Sequence, residues 1–358
     1  MHPFEYVEVK SIDEAVALLS AQPGDTRLIA GGTDLLSEIK EGVVTPPQLV
    51  GLADIPELSL ITVTDAGLSI GAMTTIAEVA AHPVVRASYA ALAEAAAGLA
   101  TPQIRNVGTL GGNLCQRPRC WYYRHPLTNC LKKGGDRCFA LAGNSKYLCV
   151  TGGERCYIVH PSDTAVALTA LDAALEIAGP TGLRTVPIEQ FFIGPGQDVI
   201  RENILAPGEL VTRVYLPKPL PSVPLPVREG VSPDQGEAAE LPFLRGKGLR
   251  RSLYLKARER EAGDFALVSV AAVVSLEDST IRHAAVVLGG VAPTPYRAQP
   301  VEDYLRGKPI AEVDPAVAGS IALPDARPMT DNSYKVVLAA NLVKRAVTRL
   351  LGIWPDVF

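Results

Sequence analysis

All six cysteines of this 358-residue chain fall between Cys115 and Cys156, and the rest of the sequence has none. That clustering constrains the fold more than any other feature. The residues around it, TPQIRNVGTLGGNLCQRPRCWYYRHPLTNCLKKGGDRC and then GGERCYIVHPSD, mix thiols with glycine, basic and aromatic residues. A glycine-rich turn opens the stretch and a helix start closes it. The N-terminal MHPFEYVEVKSIDEA has no apolar core of a leader, and no run reaches the roughly 18 apolar residues of a membrane span. Cytoplasm is the expected compartment, with the periplasm open to a chain exported alongside a signal-bearing partner. In such a setting clustered cysteines point to metal or redox chemistry rather than to a disulfide framework.

The rest of the chain reads as a mixed α/β protein. FEYVEV alternates as a strand, and SIDEAVALLSAQ is a Ser-capped helix with an apolar stripe. RLIAGGTDLLSEIK reads as a strand, a Gly-Gly turn and a helix opened by Thr33 or Asp34. Glycines at such a turn let a phosphate approach the backbone, where free N–H groups meet it, although an ordinary βα turn has the same pattern. The motif is not GxGxxG, so no dinucleotide-type Rossmann domain is implied.

Short strands follow in QLVGLAD, LSLITVT and LSIGAM, then a helix capped by Thr74 or Thr75 and the helix YAALAEAAAGLA, whose end Pro102 marks. KYLCVT has the look of a strand. After the cysteines come DTAVALTALDA as a helix, ALEIAGPTGLRTVPIEQFF as strand–turn–strand, and the strand ELVTRVYLP. Residues 218–249 are rich in proline and charge and read as a linker or long loop. Beyond it, RSLYLKARER is a strand, DFALVSVAAVVSL is a strand or a helix, IRHAAVVLGG is a strand, and SYKVVLAANLVKRAVTRLLG is the final helix. The net charge of −4 and the absence of a basic run leave nucleic acid out as a partner.

Several of these segments stand in the order of one family. LIAGGTDLL, NVGTLGGNL, YIVHPSDTAVAL, ELVTRVYLP and YLKAREREAGDFALVSVAA together resemble the FAD-binding medium subunit of the molybdenum hydroxylases, the xanthine dehydrogenase and carbon monoxide dehydrogenase family. The resemblance implies an α+β, α/β fold. Two FAD-binding subdomains, about 1–55 and 56–217, precede a small α+β domain at 250–358. It also implies the site residues. Leu28, Ile29, Ala30, Gly31, Gly32, Thr33, Asp34 and Leu35 would hold the FAD pyrophosphate. Thr109, Gly112 and Asn113 would contact the diphosphate and ribityl region, and Ser162 and Asp163 would bond FAD hydroxyls or adenine-side groups. Val211 and Lys256 would lie by the isoalloxazine ring, where a cation stabilises reduced flavin. Ser162 and Asp163 also stand where a helix N-cap is wanted, which explains them equally well.

The cysteines resemble a branch of this family that carries a [4Fe–4S] cluster in the flavin subunit, as in 4-hydroxybenzoyl-CoA reductase and the periplasmic-type aldehyde oxidoreductases. RPRC and ERCYIVHPSD match the ends of that pattern, and TNC and DRC match its middle. The resemblance selects Cys120, Cys130, Cys138 and Cys156, leaving Cys115 and Cys149 as small buried hydrophobes. Structural zinc is the competing metal, but Cys115/Cys120 is the only pair near knuckle spacing.

The six Lys and Arg residues between Cys115 and Cys138, against one Asp, should raise the potential of a cluster there, or else form a solvated face. The function implied is electron transfer between a small [2Fe–2S] subunit and an external acceptor or donor, with a large molybdopterin-binding subunit handling an aldehyde or aromatic heterocycle. An aryl-CoA reductase subunit, a stand-alone FAD oxidoreductase and a non-redox binding module are the alternatives. Because the glycine turns lie outside the loop from Cys115 to Cys156, loss of the cluster is expected to leave FAD in place, although Cys156 is close enough to Asp163 to disturb it.

Overall fold

The computed structural model describes residues 2–218 and 249–353. The proline- and charge-rich stretch read as a linker therefore lies almost wholly outside the described residues. Among the described residues, three sheets carry the fold. The first is built from β1 (Glu5–Glu8), β2 (Thr26–Ile29) and β3 (Gln48–Gly51), all parallel in the order β1-β3-β2. Its crossovers carry α1 (Ile12–Ala21) and α2 (Leu35–Lys40). Ser11 caps α1 by accepting from the Glu14 N–H, as the sequence implies.

The second sheet is antiparallel and uses β4 (Ile61–Thr64), β5 (Gly67–Gly71), β6 (Ala174–Gly179), β7 (Gly182–Pro187) and β8 (Leu210–Pro217). Its order is β4-β5-β8-β6-β7, so the strand latest in the chain sits between β5 and β6. Between β5 and β6 the chain forms a run of short helices: α3 (Ile76–Ala81), α4 (Pro83–Ser88), α5 (Ala90–Ala97), α6 (Pro102–Arg105), α7 (Leu110–Cys115), α8 (Trp121–Arg124) and α9 (Asp163–Ala170). A one-turn helix, α10 (Ile188–Phe191), follows β7. Thr75, not Thr74, caps α3, in a full capping box with Glu78. α5 ends at Gly98, and Pro102 occupies the first turn of α6 rather than closing α5.

The third sheet is antiparallel, β12-β11-β10-β9, from β9 (Leu249–Ala257), β10 (Val268–Glu277), β11 (Thr280–Gly289) and β12 (Tyr296–Arg297). α11 (Gln299–Leu305), α12 (Pro315–Ser320) and α13 (Tyr334–Leu351) complete it. Nine of the ten residues of β10 are buried, because one face meets α5 and α9 while the other meets α13. A strand covered on both faces loses its polar alternation, which is why DFALVSVAAVVSL looked like strand or helix.

Candidate functional site

The two glycine segments meet. A Cβ on Gly31 would run into the Val107 carbonyl, so only glycine allows the β2–α2 turn to pack against the turn after α6. Gly32 is needed for another reason: its φ of +70° is the left-handed region, and a side chain there would also press on Leu36. Beside this contact Thr33 Oγ1 lies near Gly108.

The second glycine segment is not a turn. Thr109 accepts from the Gly112 N–H and caps α7, which carries Gly111, Gly112 and Asn113. Asn113 Oδ1 accepts hydrogen bonds from Ser162 and Thr164, each at 2.6 Å, tying α7 to the start of α9. The cap of α9 is Ser162, whose hydroxyl accepts from the Ala165 N–H.

Asp163 is thereby free for another task. Its carboxylate pairs with Lys256 Nζ at 2.7 Å and accepts from the Tyr254 hydroxyl at 2.5 Å. The two charged side chains are only 4% and 6% exposed, so this is a desolvated pair joining α9 to β9. Burial, then the neighbouring carboxylate, pushes the Tyr254 phenol far above its usual range. Tyr254 opens the YLKARER segment but is not among the site residues that the resemblance implies.

Ser162 and Asp163 line a cavity of about 290 Å³ between the cysteine segment and the β9–β10 turn. Arg119, Trp121, Tyr147 and Phe265 form other walls. Two of its buried polar atoms, His160 Nε2 and Ser269 Oγ, have no hydrogen-bond partner. Unpaired buried polar atoms on its wall suit a polar ligand. Burial also drives His160 down to about 4, so its ring is neutral at pH 7.

Val211 does not reach this cavity; it is buried within the core of the second sheet, paired with Ile177. Leu28 packs in the small core under the first sheet. Asp34 stands at the head of α2 without capping it. Its carboxylate faces the cysteine segment instead, accepting from the Arg117 N–H at 2.7 Å and pairing with Arg119 and Arg124. Burial alone would raise the Asp34 carboxyl; Arg119 and Arg124 outweigh it and hold it below its ordinary range.

Within the cysteine segment, Cys120, Cys130, Cys138 and Cys156 line one small cavity, with Tyr123, Lys132, Ala140 and Ile158. Their thiols are free. The hydrogen bond that Cys138 and Cys156 share lowers the first, to about 6, and raises the second. Cys115 packs against the main core and Cys149 is buried, and burial pushes both thiols up to about 12. KYLCVT is not a strand but a turn, held by the Cys149 N–H donating to the Tyr157 carbonyl. Among the described residues no three His, Cys, Asp or Glu side chains form a group that could hold a single metal ion.

Comparison with known proteins decides the family. Residues 2–219 match the FAD binding domain in molybdopterin dehydrogenase, and residues 253–350 match the CO dehydrogenase flavoprotein C-terminal domain. The chain belongs to the FAD-binding medium subunits of the molybdenum hydroxylases. It is 36% identical to the aldehyde oxidoreductase FAD-binding subunit PaoB of Escherichia coli K12, over 98% of each chain. It is 30% identical to the carbon monoxide dehydrogenase medium chain of Hydrogenophaga pseudoflava, over 96% of each. The structure of carbon monoxide dehydrogenase from H. pseudoflava superposes with a TM-score of 0.72 at 27% identity, covering 98% of both chains. Quinoline 2-oxidoreductase from Pseudomonas putida 86 gives 0.70 at 25%, over 98% and 97%.

The expected mixed α/β architecture with a C-terminal domain is that of this family, and the chain is the flavoprotein component of an oxidoreductase. No described helix is long and apolar enough to cross a membrane.

Proposed function

We propose that this subunit carries FAD and one [4Fe–4S] cluster, and passes electrons between a small [2Fe–2S] subunit and an external acceptor or donor. The large molybdopterin-binding subunit of the same complex would act on an aldehyde or an aromatic heterocycle. The observation that carries the cluster is the single cavity lined by Cys120, Cys130, Cys138 and Cys156, with Cys115 and Cys149 outside it. Four thiols on one cavity supply the number of ligands that a cubane needs.

For FAD, the support is the glycine contact at Gly31 and the cavity with orphaned His160 and Ser269. Backbone groups of residues 31–33 and the N-terminus of α7 would hold the pyrophosphate. Lys256, fixed by Asp163, would place its charge at the ring end. A bound flavin supplies two-electron acceptance with one-electron release. The halves 1–55 and 56–217 would enclose it, with 250–358 closing the ring end. An aldehyde is favoured as substrate by the 36% identity to an aldehyde oxidoreductase FAD-binding subunit. Partner contact is supported by Trp121, Leu127 and Leu141, large apolar side chains of the cysteine segment that face solvent.

Iron and sulfide analysis of six single Cys→Ser variants tests the reading. Serine at Cys120, Cys130, Cys138 or Cys156 should remove the cluster, about four irons per chain, or abolish soluble expression. Serine at Cys115 or Cys149 should leave iron unchanged. Zinc in the wild type, or iron lost from Cys149→Ser and kept by Cys156→Ser, would overturn it.

A further inference from the structure

The cysteine segment and the first glycine turn are mechanically joined, and α2 is the joint. Cys120 is the residue from which α8 starts, and α8 ends in Tyr123 and Arg124. Tyr123 donates to Glu38 on α2 at 2.6 Å, and Arg124 donates to Asp34 at 2.7 Å. Arg119, just before Cys120, also pairs with Asp34, and the Arg117 N–H completes the set. Asp34 and Glu38 are four apart and so share one face of α2. Glu38 is buried and Asp34 largely so, leaving little water to replace these partners. Asp34 in turn follows Gly31, Gly32 and Thr33 directly, and the Glu38 N–H and Leu36 N–H bond back to Asp34 and Gly32 carbonyls.

Resting on the two-cofactor reading above, we propose that Asp34 is a positioning residue through which cluster occupancy holds the FAD turn in its binding shape. The four-thiolate cluster fixes Cys120, Cys120 fixes α8, and α8 with Arg119 fixes the head of α2. The flavin turn is thereby preorganised only when the cysteine segment is folded around its cluster. This departs from the expectation that FAD is indifferent to cluster loss. That expectation rested on distance in sequence, and the ion pairs span 85 and 90 residues. Two sites joined through one element have a coupling free energy, and each must feel the other.

The test measures flavin affinity and iron in the full chain. Asp34→Asn keeps the side-chain shape and removes the charge. Arg124 keeps its bonds to the Pro118 and Arg117 carbonyls, so α8 and the cluster should survive. The expected result is wild-type iron with FAD affinity weakened roughly tenfold, within the range usual for coupled sites. Cys138→Ser, which removes the cluster without touching α8, should weaken FAD by a similar factor. The double variant should be no worse than the weaker-binding single, because both act through the same route. Additive losses would mark Asp34 as a direct or merely structural contact and overturn the proposal, as would unchanged FAD affinity in either single variant.

Should Asp34→Asn fail to fold, Tyr123→Phe cuts the same seam at Glu38 and must show the same non-additivity with Cys138→Ser. A wild type lacking iron or flavin would instead sink the two-cofactor reading, with this coupling along with it. A wild type holding both, with flavin affinity blind to the cluster, would sink the coupling alone.

Discussion

Replacing Asp163 with Asn should destabilise the protein far more than removing the helix cap beside it. The Asp163–Lys256 pair is 2.7 Å long and almost wholly shielded from water. At an effective dielectric of about 20, its gross attraction is about 6 kcal/mol. Asn nearly preserves the shape, so the change strands a buried ammonium, a situation that costs about 3–5 kcal/mol in other proteins. Lys256 keeps a weak fallback, the Gly98 carbonyl at 3.5 Å, which places the expected loss near the lower end, about 3 kcal/mol. Ser162→Ala, by contrast, removes an ordinary cap worth about 1 kcal/mol.

Urea unfolding of the full chain, followed by far-UV circular dichroism with and without added FAD, separates folding from ligand binding. Asp163→Asn with Lys256→Met should recover most of the loss, since a buried pair replaced as a unit is nearly neutral. An Asp163→Asn protein within about 0.5 kcal/mol of wild type would refute the reasoning, because surface substitutions lie in that range.

Two further outcomes are expected. His160 titrates near 4 in the fold and near 6.5 unfolded, so between these values only the unfolded chain takes the proton. Stability should therefore fall by about 3 kcal/mol as pH drops from about 6.5 to about 4, and His160→Gln should flatten that part of the urea-midpoint profile; an unaltered slope would show that His160 is not its source. Gly31→Ala should cost more flavin per chain than Gly32→Ala, since the first drives a methyl into the Val107 carbonyl while the second brings mainly left-handed strain of about 1–2 kcal/mol. Visible absorbance of the purified variants gives the answer, and the opposite order would place the critical contact at Gly32.

Local signals were legible and distant ones were not. Thr75 with Glu78, the Ser11 cap and the long amphipathic α13 follow from spacing within a few residues. The resemblance also picked, from six cysteines, the four that line one cavity. The cap of α7 at Thr109 was hidden by the glycines after it, which look like a turn although they sit inside a helix. The resemblance places Asp34 with the flavin turn, and its arginine partners lie far along the chain where no periodicity points to them. The resemblance implies Lys256 and Asp163 as separate cofactor contacts; that they bond each other, with Tyr254 as a third member, needs the β9 register against β10 and α9.

The central place of β8 has a consequence for how the chain is made. β5 and the β6–β7 hairpin emerge early from a ribosome, but each lacks its neighbour until residues 210–217 arrive and pair with both at once. Until then two sheet edges stand open, and the helices between β5 and β6 have no continuous surface to pack on. Closing the sheet across nearly 150 residues of sequence is a slow, non-local step. A nascent chain therefore passes through a stage with its cysteines already made and their surroundings unfinished.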